Sequence, residues 1–568
     1  MRRAFLLFLM CWFCLINLSD AGGAELFAAP AGSGSMCAQA QPCSLSDAVL
    51  LAKEKDTVYV AQGTYQGTGA AVVSIDKTIT VYGGWDGAPT GPIVRNRVSY
   101  PSILDGENAR RVIYISGSIS PAIDGFTIRA GNASGLGGGP NGADAGGGIC
   151  SLDASPTLRN NIITNNLASA VEDKLGWGGG AYIKAASAPA LITLNEFRAN
   201  TAMSGEKGQG NGGGLSLWGP ASVLDNLFFD NTAKASYWSL GGGLHVFYGE
   251  DQVLISGNQF EGNLGLYGGA IYLYRSKVTV RSNSMKNNSG STIQAWYDFG
   301  SLIEKNVIYG PGLYLQVSQV ATKIHNNIIV SDNTSAVIDA HSDSSFDGYV
   351  ELIHNTLVSK AGKGVAVGKR TQATLLNNIL TGHSVGIETL DGGSVQVDHS
   401  LFWQNTDDGI RGTNPVDGDP CFVDSTNGDY HIGGLSWAKD AAASSAVMVD
   451  FEGEERPAGA GPDIGADEYH PIVYIEPSGN CGGKDPCYSL LSEAFVNAED
   501  GAVIMAASGN YGGGAGGVVF DRNASFSVLG GLDPADFSQT SSPTVLNGLD
   551  IRRGRLVLQN IHLRTFQP

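Results

Sequence analysis

The sequence predicts an all-β protein, a right-handed parallel β-helix solenoid with a short N-terminal capping helix, followed by the start of a second β-helix. Three observations predict this fold class. Glycine supplies 79 of the 568 residues and charged residues only 16%, which is typical of many short strands joined by turns. A Gly-Gly-small-apolar element recurs every 27 to 34 residues, and asparagine pairs recur between these elements. Such periods indicate stacked coils.

The first 24 residues have the pattern of a secretory signal. Arg2 and Arg3 precede an apolar run over residues 4–18, and small residues follow as far as Ala24. Because such a segment directs export and is then removed, we expect an extracellular or cell-surface protein. No later apolar stretch approaches the ~18 residues that a spanning helix needs, so the sequence predicts no membrane span.

The charge balance limits the class of partner. The formal net charge is −19, whereas nucleic acids and anionic membranes favour basic surfaces. The sequence therefore predicts no nucleic-acid partner and favours a polysaccharide of low charge or a surface protein. An acidic polysaccharide would need a bridging cation such as Ca²⁺, but no specific calcium motif is present, and we expect no cofactor or metal.

Two cysteine pairs have matching spacing. Five residues separate Cys37 from Cys43, and five separate Cys481 from Cys487. In an exported chain this spacing predicts two local disulfides. A zinc site is the alternative, but no histidine or second cysteine pair lies nearby at ligand spacing.

The only strong helix signals lie beside these cysteine pairs. Residues 44–55 open with Ser44-x-x-Asp47, a helix-capping pattern, and are amphipathic. We expect this helix to cover the first coil, whose strand edges would otherwise be unpaired.

The repeats predict three short strands per coil, each pairing in parallel with its neighbours at about 4.8 Å. Stacked asparagine side chains can hydrogen-bond from coil to coil. The glycine elements begin at Gly146, Gly178, Gly212, Gly241 and Gly268. The asparagine pairs are Asn161/Asn166, Asn195/Asn200, Asn226/Asn231, Asn258/Asn263 and Asn283/Asn288, continued singly at Asn306, Asn327, Asn355 and Asn378.

The C-terminal part repeats the opening of the chain. Residues 509–511 (Gly-Asn-Tyr) correspond to residues 63–65 (Gly-Thr-Tyr), and later matches extend the similarity between 471–568 and 30–130. We therefore divide the chain into a signal (1–24), a β-helix with cap and closing segment (25–470) and an incomplete second β-helix (471–568). We interpret the second unit as truncated at Pro568. Docking of its open end is the alternative.

At this point the residues carry a family resemblance. The coils resemble the right-handed β-helix superfamily typified by pectate lyases, and residues 268–271 (Gly-Gly-Ala-Ile), with the Phe-x-x-Asn unit, are similar to repeats of polymorphic outer-membrane adhesins. Residues 419–424 (Asp-Pro-Cys-Phe-Val-Asp), Arg456-Pro457 and residues 463–469 (Asp-Ile-Gly-Ala-Asp-Glu-Tyr) resemble the closing region of choice-of-anchor Q bacterial surface proteins. The chain departs from that family at Cys421 and in lacking a sorting tail. The carboxylates and Arg456 predict a hydrogen-bonded terminal cap, with a metal or catalytic site as the alternative.

Strand alternation predicts an aromatic outward face. If the residue after each glycine element points inward, two outward columns follow, because residues two apart share a face. Aromatic rings one coil apart offer stacking area to a glycan or protein. We expect contacts at Tyr182, Trp218, His245, Phe247, Tyr272, Tyr274 and Trp296. The alternative is self-stacking rings sheltered by loops at 201–211 and 232–240.

The same register predicts a weaker catalytic candidate. A lyase or epimerase needs a base, a charge neutraliser and a proton donor, which Tyr314, Asp339, His341, Arg370 and Glu388 could supply. A polar outward face is also what any solvated sheet shows. The sequence favours a non-catalytic adhesion or glycan- or protein-binding role, with a polysaccharide lyase or uronate epimerase and a structural spacer as alternatives.

Overall fold

A computed structural model describes residues 23–186, 188–235, 238–249, 252–342, 346–512 and 517–564. The predicted signal lies outside these ranges except for its last two positions. Within them, no helix has the length and apolar character to cross a membrane. The α-helices span Leu45–Leu51 and Leu491–Asn497, and short 3-10 helices span Pro140–Gly142 and Cys481–Gly483.

The first helix begins where the capping pattern predicts. The Ser44 hydroxyl accepts a hydrogen bond from the Asp47 N–H at 3.1 Å, and Leu45, Ala48 and Val49 are buried. The helix ends at Leu51, earlier than the predicted residue 55. Beyond it the chain turns, and the Lys53 N–H bonds to the side chain of Asp56 at 2.7 Å.

Three long parallel sheets form the body of the protein, here called sheets 1, 2 and 3. Sheet 1 consists of Glu25–Ala28, Thr57–Ala61, Thr80–Trp85, Ala122–Asp124, Thr157–Arg159, Ala190–Thr193, Ala221–Leu224, Val253–Ser256, Thr279–Arg281, Leu302–Glu304, Thr322–His325, Gly348–Ile353, Thr371–Leu376 and Ser394–Asp398. Sheet 2 consists of Ala71–Ile75, Arg111–Ser116, Ile149–Leu152, Ala181–Lys184, Leu215–Trp218, Leu244–Phe247, Ile271–Tyr274, Ile293–Asp298, Leu313–Val317, Ile338–His341, Val365–Val367 and Ile387–Thr389. Sheet 3 consists of Gly63–Tyr65, Ser102–Asp105, Phe126–Arg129, Ile162–Thr164, Glu196–Arg198, Leu227–Phe229, Gln259–Glu261, Ser284–Lys286, Val307–Tyr309, Ile328–Ser331, Thr356–Ser359, Ile379–Thr381, Leu401–Trp403 and Val416–Asp417.

The coils stack in the register that the glycine elements predict. Ile149 pairs with Ala181, which pairs with Leu215, and the column continues through Leu244, Ile271, Ile293 and Leu313. All seven residues are buried within one continuous apolar core that extends from the first coil to the last. The predicted parallel β-helix is confirmed.

Glycine is required where the chain enters the five strands of sheet 2 that follow the repeated glycine elements. Gly178 has a φ of +64°, and a Cβ added there would lie 2.0 Å from the carbonyl oxygen of Ala181. Left-handed backbone is costly for other residues, and no side chain fits so close to a carbonyl. The repeated glycines therefore serve the turn into sheet 2.

Two asparagine ladders run through the solenoid, as predicted. In each, the side-chain Nδ2 of one asparagine donates to the Oδ1 of its counterpart in the next coil at 2.9–3.0 Å. The first ladder contains Asn161, Asn195, Asn226, Asn258, Asn283, Asn306, Asn327, Asn355 and Asn378, and the second Asn166, Asn200, Asn231, Asn263 and Asn288. All are almost fully buried, so the bends are held by satisfied polar groups.

Insertions between sheet 3 and sheet 2 build a second layer. Four short strands, which we call the covering sheet, pair in parallel: Asp144–Ala145, Leu175–Trp177, Gln209–Asn211 and Trp238–Leu240. A further pair joins Leu167–Ser169 to Thr201–Met203. Ala145 and Trp177 pack with Cys150 and Tyr182 of sheet 2 in a separate apolar cluster. The long repeat periods are therefore accounted for by a layer over part of sheet 2.

The closing segment, residues 419–469, contains an antiparallel hairpin of Phe422–Asp424 and Asp429–Ile432. The Arg456 guanidinium lies 2.8 Å from Glu468 Oε2, and both side chains are 1% exposed. It also donates to the carbonyls of Gly465 and Ala466 at 2.9 and 2.8 Å. The hydrogen-bonded arrangement agrees with the prediction, but the segment, which we call the terminal cap, lies along the outer side of sheet 3: the Ala466 N–H donates to Thr356 Oγ1 at 3.0 Å and Asn377 Nδ2 donates to the Ala443 carbonyl at 2.8 Å.

Beyond the closing segment the strands pair among themselves. Cys487–Tyr488, Ile472–Ile475, Val503–Ala507, Val518–Leu532 and Leu549–Gln559 form one sheet, and Gly509–Gly512, Thr544–Asn547 and Ile561–Arg564 another. Tyr511 donates to the carbonyl of Ala507 at 3.0 Å, just as Tyr65 donates to that of Ala61 at 2.9 Å. These residues have an apolar core of their own.

Both predicted disulfides are present. Cys37 is bonded to Cys43 and Cys481 to Cys487. Cys150, which is buried, and Cys421 are free.

Candidate functional site

The outward column nearest the glycine elements is covered. Tyr182, Ser216, His245 and Tyr272 occupy this column in successive coils, but the three predicted contact residues Tyr182, His245 and Tyr272 are each at most 2% exposed. Trp177 of the covering sheet packs edge-on against Tyr182 and His245, with ring centroids 6.1 and 5.1 Å apart. The prediction that these three side chains contact a ligand is therefore corrected, and the sheltered alternative applies to them.

Burial also determines how this column titrates. It lowers the pKa of His245 to about 3, and it raises the pKa of Tyr182 and of Tyr272 above the usual tyrosine range. The ring of His245 is neutral at physiological pH and lies within 3.2 Å of the Ser216 hydroxyl. The column is thus a packing layer.

The second outward column reaches the surface. Trp218, Phe247, Tyr274 and Trp296 pair in successive strands and are all partly exposed. Phe247 stacks on Tyr274 with centroids 5.3 Å apart and meets Trp218 edge-on at 5.0 Å. Of the predicted contact residues, these four are accessible.

A second row of surface residues was missed from the sequence. Three residues of successive coils, Tyr248, Arg275 and Tyr297, directly follow the exposed rings of the second outward column in the sequence, and all three have left-handed backbone. The Arg275 guanidinium carbon lies 5.9 Å from the Tyr248 ring centroid and 5.4 Å from that of Tyr297. Arg275 also donates to the Tyr248 hydroxyl at 3.2 Å. We call these three residues, with Trp218, Phe247, Tyr274 and Trp296, the aromatic face.

A groove of about 500 Å³ opens at one end of the aromatic face. Its lining includes Tyr267, Ser291, Gln294, Trp296, Tyr314 and Asp339. It forms where the covering sheet ends: a single bridge joins Leu240 to Tyr267, and the next connections into sheet 2 are short. The volume lies within the ~300–1,000 Å³ range of small-molecule sites.

The floor of the groove holds an unpaired donor. Gln294 is 2% exposed, and its Oε1 accepts a hydrogen bond from the Ser291 hydroxyl at 2.9 Å. Its Nε2 is buried, and no residue in the described part of the chain accepts a hydrogen bond from it. Such a group is destabilising unless something bonds to it, so it marks a place where a ligand acceptor is favoured.

The structure assembles only three of the five residues in the predicted catalytic set. His341 Nδ1 lies 3.6 Å from Asp339 Oδ1, and the His341 ring lies 4.7 Å from that of Tyr314. Arg370 instead pairs with Asp347 at 2.8 Å, and Glu388 pairs with Lys363 at 2.6 Å. Burial and the nearby Asp339 raise the pKa of Tyr314, so its hydroxyl stays protonated at neutral pH. Tyr314, Asp339 and His341 therefore lie together, whereas Arg370 and Glu388 form ion pairs with residues outside the predicted set.

Two groups in the closing segment have the composition of a metal site, and both contain Glu452; the second consists of Asp450, Glu452 and Glu454. His431, Glu452 and Asp467 each place a donor atom within 4.8 Å of the others. The ring nitrogens of His431 lie 2.5 Å from Asp429 and 3.1 Å from Glu452, and Asp467 accepts from the Ile432 N–H at 2.7 Å. These mutual bonds place the group within the terminal cap.

Comparisons with known proteins agree with this architecture. Residues 179–357 match the family model described as "Right handed beta helix region", and no curated protein matches the sequence. Similar solved structures include the PL6 family alginate lyase AlyGC, at 14% identity and a TM-score of 0.40, covering 95% of this chain and 71% of the lyase. The pectate lyase Pel9A is 13% identical, with a TM-score of 0.32, and the alignment covers 79% of this chain and 97% of the pectate lyase. An alginate lyase from Paenibacillus sp. str. FPU-7 is 14% identical, with a TM-score of 0.25, and the alignment covers 60% of this chain and 97% of that lyase. The matched family region lies within the three stacked sheets, and the fold is a right-handed parallel β-helix.

Proposed function

We propose that the protein binds a glycan, without catalysis, through the groove and the adjoining aromatic face. One observation carries the proposal: the groove holds the buried, unpaired Nε2 of Gln294 beside the partly exposed ring of Trp296. A sugar ring offers an apolar face for the indole and hydroxyl oxygens for the amide.

The spacing of the sheet supports this proposal. Exposed rings recur from coil to coil at about 4.8 Å, which is close to the length of a sugar unit. A glycan laid along the solenoid can therefore meet one ring per unit. Ligand hydroxyls that bond to Gln294 would recover the ~1–3 kcal/mol that an unpaired buried donor costs.

Binding is favoured over the lyase and epimerase alternatives by the state of the predicted catalytic set. A uronate reaction needs a cation beside the base, and Arg370 and Glu388 are engaged elsewhere. The structural spacer is disfavoured because the unpaired donor lies in the same groove as the partly exposed ring of Trp296.

The proposed setting is an exported or cell-surface protein of the choice-of-anchor Q kind, acting as an adhesin or glycan-binding protein. The two disulfides are compatible with export. In this proposal residues 25–470 are the binding unit and residues 471–568 begin a second one.

Glycan-array binding of the mature protein tests the proposal. We expect binding that falls at least tenfold in Trp296→Ala and in Gln294→Ala. The matched control is Trp437→Ala, which removes an indole that is 62% exposed in the closing segment and should leave binding unchanged. No binding to any glycan, or equal loss in all three variants, would refute the proposal.

A further inference from the structure

The charge of the groove indicates which glycans it accepts, provided that it binds glycans as proposed above. Among the described residues that line the groove, Asp339 is the only acidic one, and none is Lys, Arg or His. The cation of the aromatic face, Arg275, is held against Tyr248 and Tyr297 and does not line the groove. The whole chain carries a net charge of −19.

Three groove residues occupy successive coils of sheet 2. Gln294 pairs with Tyr314, and Tyr314 pairs with Asp339. Strands in a sheet lie about 4.8 Å apart, so the Gln294 donor and the Asp339 acceptor are separated by about 10 Å along the solenoid axis, with the Tyr314 ring between them. A ligand that reaches both must extend over about two sugar units.

We infer that the groove binds an uncharged oligosaccharide lying along the solenoid axis, and that it discriminates against uronates. Hydroxyl groups both donate and accept hydrogen bonds, so one ligand oxygen can accept from Gln294 while another hydroxyl donates to Asp339. The ring between them can lie on Tyr314. No part of this arrangement requires a charge on the ligand.

The negative charge of a uronate disfavours its binding in this groove. Its carboxylate would lie beside Asp339 in a partly enclosed groove, where like charges repel more strongly than in open water. The lining holds no cation to offset this repulsion. The His341 imidazole does not face a ligand carboxylate, because its Nδ1 lies 3.6 Å from Asp339 and faces that protein carboxylate.

The test compares matched tetrasaccharides by calorimetric titration of the mature protein. The uncharged probes are cellotetraose, mannotetraose and xylotetraose, and the acidic probes are tetragalacturonate and tetramannuronate. We expect at least one uncharged probe to bind at least tenfold more tightly than either acidic probe.

Asp339→Asn separates charge from shape. It should weaken the uncharged probe by only a few-fold and strengthen the acidic probes at least fivefold, and Asp339→Lys should strengthen them further. The matched control is Asp391→Asn, which removes an equal charge at an exposed turn outside the groove and should leave the ratio unchanged. Circular dichroism of each variant verifies its fold.

The outcomes distinguish this inference from the proposed function. If an acidic probe binds as tightly as the best uncharged probe, and Trp296→Ala abolishes that binding, the glycan site stands and the charge inference is wrong. An unchanged ratio in both Asp339 variants also overturns the inference. If no probe binds and the glycan array is silent, both are wrong.

Discussion

Asn200 and Asn231 are joined side chain to side chain across two coils: Nδ2 of Asn200 donates to Oδ1 of Asn231 at 2.9 Å. Asn200 also donates to the carbonyl of Ile163 at 2.8 Å, and its own Oδ1 accepts from Asn166. Every polar atom of this buried amide is therefore used within the ladder, and its removal would leave partners unsatisfied on both sides.

We expect Asn200→Ala to lower the free energy of unfolding by about 3 kcal/mol, because it orphans several buried donors and acceptors. Asn165→Gly is the control: Asn165 lies in the equivalent bend of the preceding coil, with left-handed backbone, but its side chain is exposed. Removing that side chain should change stability by less than ~0.5 kcal/mol. Urea denaturation measures both. Similar losses would contradict a ladder that stabilises the fold.

Gly178→Ala should destabilise the protein by about 3 kcal/mol or more. The methyl group adds a clash with the Ala181 carbonyl, 2.0 Å away, to the strain of left-handed backbone at φ +64°. Gly135→Ala isolates the strain, because Gly135 has a φ of +77° but open space around it, and it should cost only about 1 kcal/mol. Thermal unfolding of the two variants should differ accordingly, and equal losses would show that the close approach is unimportant.

The buried histidine under the covering sheet makes stability depend on acid pH. The folded-state pKa of His245 is about 3, below its ordinary value of 6.5, so the unfolded chain takes up the proton first and stability falls as the pH drops from about 6.5 towards 3. Between pH 7 and pH 4 this one group accounts for about 3 kcal/mol, at about 1.4 kcal/mol per pKa unit.

His245→Gln tests this by removing the titrating group. The variant should lose about 3 kcal/mol less stability than the natural chain between pH 7 and pH 4, measured by guanidinium denaturation at each pH. Parallel pH dependence in the two proteins would show that His245 is not responsible.

The buried ion pair of the terminal cap should be far more sensitive than a surface pair. Arg456→Met leaves the Glu468 carboxylate buried without its cation, which costs about 3–5 kcal/mol. Arg411, whose side chain is 36% exposed and pairs with Asp417, is the control, and Arg411→Met should cost less than ~1 kcal/mol. Limited proteolysis within residues 419–469 should accelerate only in the first variant. Equal protection in both would refute a structural role for the cap.

The sequence predicts the scaffold well because the scaffold is periodic. The glycines at the entrance to sheet 2 and the asparagines at the bends establish which residues pair, and alternation then gives the correct inward column from Ile149 to Leu313. Each of these positions depends only on neighbouring coils.

The site is harder to predict because it depends on what lies over the sheet. Alternation gives Tyr182 and Trp218 the same outward direction, but Trp177 covers the first and not the second. Tyr248 and Arg275 were missed because they sit one residue beyond their strands in left-handed backbone, where alternation no longer applies. The groove follows from the lengths of successive insertions, which carry no repeat signal.

Different residues form the asparagine ladders and the insertions, so the insertions can vary in sequence while the ladders are kept. All the connections that build the covering sheet leave sheet 3 and enter sheet 2, whereas the asparagines bond within the bends themselves. The short connection over residues 289–292 supplies Ser291 to the groove and takes no part in the side-chain bonds of the ladders. It can therefore be lengthened or exchanged while the ladders stay in place, provided that the new segment replaces its backbone bonds to the preceding coil, such as the one from the Gly269 N–H to the Ser291 carbonyl at 2.8 Å. Mutation in nature, or loop grafting in the laboratory, can alter recognition at this site while the supporting framework is inherited intact.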